Sequence, residues 1–181
     1  MQKNECSSKK SCVNFFPRGY SHPVILQSVH REIYLELEFS KFSGAGNDFI
    51  VINNMNGSLP EEGRREVFSQ WCRRGMSVGA DGVLVVEPAD ENSPAHFRMR
   101  YYNADGGEAE TCGNGSRCIA RFAFLQGVAP QVMTFQTLAG DYQAEVLPDG
   151  HVRLQMSDAF DLKLNKHKVS AMDRTREVDF V

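Results

Sequence analysis

Asn103-Ala-Asp-Gly-Gly-Glu-Ala-Glu-Thr-Cys112-Gly-Asn-Gly-Ser-Arg-Cys118 is the stretch on which the fold turns. Upstream of it Phe97, Met99 and Tyr101 alternate with Arg98, Arg100 and Tyr102, the period of a half-buried strand. Downstream, Cys118, Ile119, Phe122 and Leu125 recur at helical spacing and Gly127 closes the run. A strand therefore ends at Asn103, a glycine-rich loop comes next, and a helix begins at about Asn114. Cys112 falls immediately before that helix, where unpaired N–H groups and the positive end of the macrodipole converge. Such a position favours an anion, and the thiolate is the reactive form of cysteine. Gly113 and Gly115 let a ligand approach the backbone without a Cβ in the way, and the same N–H groups suit a carboxylate. The plainer alternative is that Cys112 is a bystander in a glycine-rich turn. Cys118 lies on the apolar face and reads as a core thiol, as does Cys72 on the stripe Val67, Phe68, Trp71, Cys72.

Working outward, Phe49–Ile52 and Val83–Val86 are short apolar runs bounded by polar turns and read as buried strands. Between them, Ser58 precedes Pro60, Glu61 and Glu62, and Arg73, Arg74 and Gly75 come after the apolar stripe. That order predicts a helix capped at Ser58 with Arg73 and Arg74 in its last turn. Val132–Gln136, Tyr142–Leu147 and Val152–Met156 predict three more strands, the last two forming a hairpin across Pro148-Asp149-Gly150. Strands, helix, strands, helix, strands without strict alternation predict an α+β fold whose sheet wraps one main helix.

Gly44-Ala-Gly46-Asn47-Asp48-Phe49 invites a dinucleotide-binding reading and fails it, because the third glycine is absent and a strand stands where a helix is needed. Gly79-Ala-Asp-Gly82 reads as a tight turn before a strand. There is no Gly-x-Ser-x-Gly elbow and no His-Glu-x-x-His helix, and the five histidines are scattered.

The 181 residues suit one domain, or one plus part of a second. At 41% hydrophobic and 24% charged residues the chain is globular in composition, which excludes wholesale disorder and fibrous classes. A net charge of −3 with no basic stripe argues against nucleic-acid binding, and no apolar run is long enough to span a membrane. Five cysteines without a Cys-x-x-Cys pair argue against a disulfide framework or a metal site, and point to the cytoplasm. Residues 1–38 differ from the rest: Cys6-Ser-Ser-Lys-Lys-Ser-Cys12 is small and polar, and Pro17, Gly19 and Pro23 punctuate the residues after it. The stretch is too broken for a signal peptide and is expected to be a flexible extension or the product of an early start codon.

Three segments occur together in order: Phe39-Ser-Lys-Phe-Ser-Gly-Ala-Gly-Asn-Asp-Phe49, Gly79-Ala-Asp-Gly-Val-Leu84, and Tyr102 through Cys118. Together they resemble the diaminopimelate epimerase family, the PLP-independent isomerases of lysine biosynthesis. The resemblance implies two pseudo-symmetric halves, each a curved, mostly antiparallel sheet wrapped around a central helix, with one cysteine from each half at a shared site. It assigns residues 39–160 to the first half and 161–181 to the start of a second. Cys112 would be the first catalytic cysteine. Asn47 and Asn103 would hydrogen-bond the substrate, and Gly113 and Asn114 would offer backbone N–H groups to its reacting α-carboxylate. Some family members carry glutamine where this chain has Gly82, so a contact from that position is not carried over.

The implied chemistry is interconversion of LL- and meso-2,6-diaminopimelate. A thiolate removes the α-proton on one face while a thiol returns one on the other, and helix dipoles stabilise the developing charge without a cofactor. The partner is a small-molecule amino acid, and a homodimer is allowed. The family's second motif, Ala-Cys-Gly-Ser/Thr-Gly-Ala, is absent from these 181 residues, as are its Glu-Arg and Asn-Pro-His-type segments. The expectation is a fragment, a truncated or frameshifted product, or a site completed by another chain, with no epimerisation by this polypeptide alone. The alternatives are a catalytically inert epimerase half and a related PLP-independent amino-acid racemase.

Overall fold

The computed structural model describes residues 37–156 with their side chains, and the backbone of further strands on either side. In chain order the elements are β1 (Val13–Phe15), β2 (Ser21–Ser28), β3 (Arg31–Gly44), β4 (Asn47–Asn53), α1 (Arg64–Cys72), β5 (Gly82–Glu87), β6 (Phe97–Asn103), β7 (Glu108–Ala109), α2 (Gly113–Leu125), β8 (Val132–Thr137), β9 (Gly140–Val146), β10 (Val152–Gln155), β11 (Lys163–Ala171) and β12 (Arg174–Phe180). The expected flexibility of residues 1–38, apart from Leu37 and Glu38, and the expected second domain at 161–181 concern segments whose side chains lie outside the described residues; Leu37 is buried in the core beside Ile50 and Ile52. Within those segments, β2 pairs antiparallel with β3 and β11 with β12.

One sheet runs in the order β1-β3-β4-β5-β6-β8-β9-β10, with β2 attached to β3 and β7 to β6. Its two parallel pairings, β4 with β5 and β6 with β8, each bracket a helix. Chain geometry requires this, since parallel neighbours need a crossover and α1 and α2 supply it. The other described pairings are antiparallel, as the family resemblance implies.

Helix α2 packs against β3, β4, β5, β6, β9 and β10. A flat sheet cannot bring so many strands to one helix, so the sheet curls around it. The apolar runs divide by the period of two. Phe49, Val51, Leu84 and Val86 join Ile119 and Phe122 in the α2-side core. Ile50, Ile52, Val83 and Val85 face the other way, onto Phe68 and Trp71 of α1. Strands buried on both faces read as continuous apolar runs, which is how β4 and β5 appear in the sequence. Ile119 is fully buried and Phe122 nearly so, each contributing on the order of 2 kcal/mol.

Helix α1 begins later than the sequence predicts. Ser58 is not its cap; Gly63 is, at φ 77°, with no side-chain capping bond. The cause is the buried Arg64, whose guanidinium bonds the carbonyls of Leu59 and Pro60 at 2.8 Å each and Glu87 Oε1 at 2.8 Å. Those carbonyls are turned toward the arginine and cannot accept along a helix axis, so residues 59–63 remain a loop. Arg73 is the C-cap, and Arg74 lies beyond the last turn, in ion pairs with Asp48 and Asp81.

Candidate active site at the start of the central helix

Cys112 is the N-cap of α2, in an extended conformation at φ −150°. Its Sγ accepts the Gly115 N–H at 3.4 Å, and its carbonyl accepts the Ser116 N–H at 2.6 Å. The Gly115 N–H, one of the four orphan donors of the helix start, is thereby satisfied, and the Ser116 bond is the first of the helix's own ladder. The Gly113 and Asn114 N–H groups have no hydrogen-bond partner among the described residues. Both point from the positive end of the helix, where an anion is favoured. Cys112 is half-buried, whereas Cys72 and Cys118 are buried, and all three are free thiols. Burial pushes the Cys118 thiol up to about 12, with Arg117 opposing the rise and Cys112 adding to it. Burial likewise raises the Cys72 thiol.

The helix start is held against the β3–β4 hairpin by a close approach at Gly44. A Cβ there would lie 2.8 Å from the Cys118 sulfur and 3.1 Å from the Asn114 carbonyl oxygen. The proximity brings Asn47, the first residue of β4, onto α2: Asn114 Nδ2 donates to Asn47 Oδ1 at 2.6 Å. Arg117, one turn along the helix, donates to Asn114 Oδ1. Asn47, Cys112, Gly113 and Asn114 thus form one contiguous group.

Asn103 stands at the same end of the sheet, at the end of β6. Gly82 is its direct cross-strand partner and also pairs with Phe49 of β4. Asn103 is exposed, and its Oδ1 accepts the Tyr101 hydroxyl at 2.7 Å. An ionic cluster fixes the spacing between β4 and β5. Lys41 donates to Asp48 at 2.6 Å, Arg74 donates to both Asp48 and Asp81, and the Asp48 N–H donates to Asp81 Oδ2 at 3.0 Å. Burial alone would raise the Asp48 carboxyl, but the Arg74 and Lys41 bonds outweigh it and hold the group well below the usual carboxylate range.

Every site residue picked from the sequence therefore lies at one end of the molecule. Tyr101, Arg117 and the Lys41–Asp48–Arg74–Asp81 cluster were not singled out. The spacing held a signal for two of them: Arg117 is three residues from Asn114 on the helix, and Tyr101 shares a strand face with Asn103. A cavity of about 570 Å³ lies elsewhere, lined by Phe39, Asn53, Met55, Phe122 and Gln126. Phe122 is ten residues from Cys112, about 15 Å along the helix at 1.5 Å per residue, so the cavity is remote from the thiol. Among the described residues no three His, Cys, Asp or Glu side chains converge as a metal site. No helix among them is long and apolar enough to cross a membrane.

Comparison with known proteins identifies the family. The sequence model of a family described as diaminopimelate epimerase matches residues 39–160. A diaminopimelate epimerase of Hydrogenobaculum sp. is 40% identical over 124 residues, covering 65% of this chain and 44% of the relative. Another, from Caldanaerobacter subterraneus subsp. tengcongensis, is 46% identical over 111 residues, covering 61% and 38%. The chain thus spans less than half the length of these curated relatives. Among solved structures, a probable proline racemase from Agrobacterium radiobacter K84 aligns with a TM-score of 0.57 at 17% identity, covering 75% of this chain and 46% of that one. A hydroxyproline epimerase from Agrobacterium vitis gives 0.57 at 16%, covering 75% and 45%. At these identities the two structures establish the shared fold.

Proposed function

The chain belongs to the diaminopimelate epimerase family, and from that premise we propose that it carries one half of a cofactor-independent site interconverting LL- and meso-2,6-diaminopimelate in lysine biosynthesis. The observation that carries this reading is the helix start: a half-buried thiol caps α2 while the Gly113 and Asn114 N–H groups stay unengaged.

In this reading the α-carboxylate of the amino acid sits on those two N–H groups. The α-carbon then lies beside Cys112. A thiolate at Cys112 takes the α-proton, and negative charge spreads from the carbanion into the carboxylate. The helix dipole and the two donors stabilise that charge where it develops, and they need no reorganisation to do so. In the reverse direction the Cys112 thiol delivers the proton. Inversion needs a second acid–base group on the opposite face, and the pair must hold one thiolate and one thiol, titrating as a coupled system. Cys72 and Cys118 do not suit that role, being buried with their thiols held protonated. Asn47 and Asn103 grip polar groups of the substrate. We place the protein in a reducing cytoplasm, where free thiols persist, and a homodimer is compatible with the reading.

The test is a chimera in which residues 39–160 replace the matching half of the Hydrogenobaculum enzyme. Exchange of the α-proton of diaminopimelate with D2O should be retained, and Cys112→Ala should lower it by at least about a thousandfold, as removal of one member of a cooperating pair does. Full exchange in the Cys112→Ala chimera would reject the proposal. A second reading, an inert half that binds without turnover, is favoured for these 181 residues alone, because the described free thiols other than Cys112 are buried.

A further inference from the structure

Position 82 is where the site departs from an ordinary strand. A Cβ on Gly82 would lie 2.5 Å from the Tyr102 carbonyl oxygen and 2.8 Å from Cε2 of Tyr101, so the Tyr101 ring occupies the space that any other residue's side chain would need. The register explains how it gets there. Gly82 lies opposite Asn103 and Leu84 opposite Tyr101, so the Tyr101 ring leans diagonally along the strand pair, over Gly82. Phe49, on the next strand, meets the ring edge to face, with centroids 6.1 Å apart and planes at 80°. Held between that ring and the bare backbone of Gly82, the phenol ends 2.7 Å from Asn103 Oδ1.

In this contact the phenol O–H donates and the Asn103 carboxamide presents its oxygen to Tyr101. Its N–H2 group is then turned away and makes no hydrogen bond among the described residues. We propose that Tyr101, seated over Gly82, is a positioning residue: it fixes Asn103 with its amide N–H2 toward the site, so that this position selects an acceptor such as a carboxylate oxygen over an ammonium group. The inference rests on the reading of Asn103 as a substrate contact. Burial raises the Tyr101 phenol above its ordinary value, and the charge of nearby Cys112 adds to the rise. The hydroxyl therefore keeps its proton, and its donor role, through neutral pH.

The test compares the full chain with Tyr101→Phe, which keeps the ring and removes only the donor. The Asn103 side-chain 13Cγ resonance should move upfield in the variant as its oxygen loses a hydrogen bond, while the other asparagine side chains hold. Affinity for meso-diaminopimelate, measured by calorimetry, should fall about two- to tenfold, the range for one net hydrogen bond. Gly82→Ala should also move the Asn103 resonance, because its Cβ would press on both the Tyr102 carbonyl oxygen and the Tyr101 ring. An unmoved Asn103 resonance, or an unchanged affinity beside a moved resonance, would overturn the proposal. If the unaltered chain binds no diaminopimelate, the substrate assignment fails, and the Asn103 resonance in the ligand-free protein still decides the orientation.

Discussion

Asn114 donates from Nδ2 to Asn47 Oδ1 at 2.6 Å, and the direction of that bond is set by Arg117. A guanidinium has only donors, so it must face the oxygen of the Asn114 amide. The nitrogen then faces Asn47, which answers with its own oxygen. Asn47 is left with its N–H2 group as the free end, donating outward beside the helix start.

Replacing Asn47 with Asp tests this polarity. The aspartate keeps the bond from Asn114 but presents a charged oxygen where the amide donor stood. Diaminopimelate affinity should fall at least about tenfold through like-charge repulsion, with the unfolding midpoint little changed. Equal affinity of Asn47→Asp and the unaltered chain in calorimetry would show that the free end does not meet an anion.

Cys112 should be the first of Cys72, Cys112 and Cys118 to react with iodoacetamide, since the other two are buried and burial raises their thiols. Peptide mapping after brief labelling reads the order directly. Earlier labelling of Cys118 would contradict the site assignment.

Alkaline stability should carry the signature of Cys118. Its thiol is held up to about 12 in the folded chain against 9.0 as a reference for the unfolded one. Above pH 9 the unfolded chain therefore binds fewer protons than the folded one, and stability falls as pH rises toward 12. Cys118→Ala should cost about 1–2 kcal/mol at pH 7 by opening a small cavity and should also flatten the alkaline limb. Denaturant midpoints measured from pH 7 to 11 give both effects. An alkaline limb as steep in Cys118→Ala as in the parent would contradict this.

On the acid side, Asp48 acts in the opposite sense. Arg74 and Lys41 hold its carboxyl below the reference value of 3.8, against the raising effect of burial. Its contribution is therefore present above about pH 4 and is lost as pH falls through the lowered folded value. Asp48→Asn should remove that part of the acid limb, and added salt should weaken the limb in the parent because Arg74 is exposed. Identical acid titrations of parent and variant by circular dichroism would refute the assignment.

How much of this was legible in the sequence depended on whether the signal was local. The strand ending at Asn103 and the helix starting beside Cys112 are set by period and by glycine placement, and both stand where the residues put them. The late start of α1 was hidden because its cause is tertiary: Arg64 pulls the carbonyls of Leu59 and Pro60 inward toward Glu87, 23 residues away. A cap motif read along the chain carries no trace of that partner. The same holds at Gly82, which reads as a turn glycine until the ring of Tyr101 from the neighbouring strand is seen lying over it.

The central claim is that the start of α2 receives the carboxylate of the amino-acid substrate, and the most direct measurement is a titration of 15N-labelled chain with meso-diaminopimelate, read by amide NMR. The account predicts the largest saturable shifts at the backbone amides of Gly113 and Asn114, with the side-chain amides of Asn47 and Asn103 moving in parallel. Shifts centred instead on the cavity around Phe122 and Gln126, or saturable binding that leaves Gly113 and Asn114 unmoved, would contradict it.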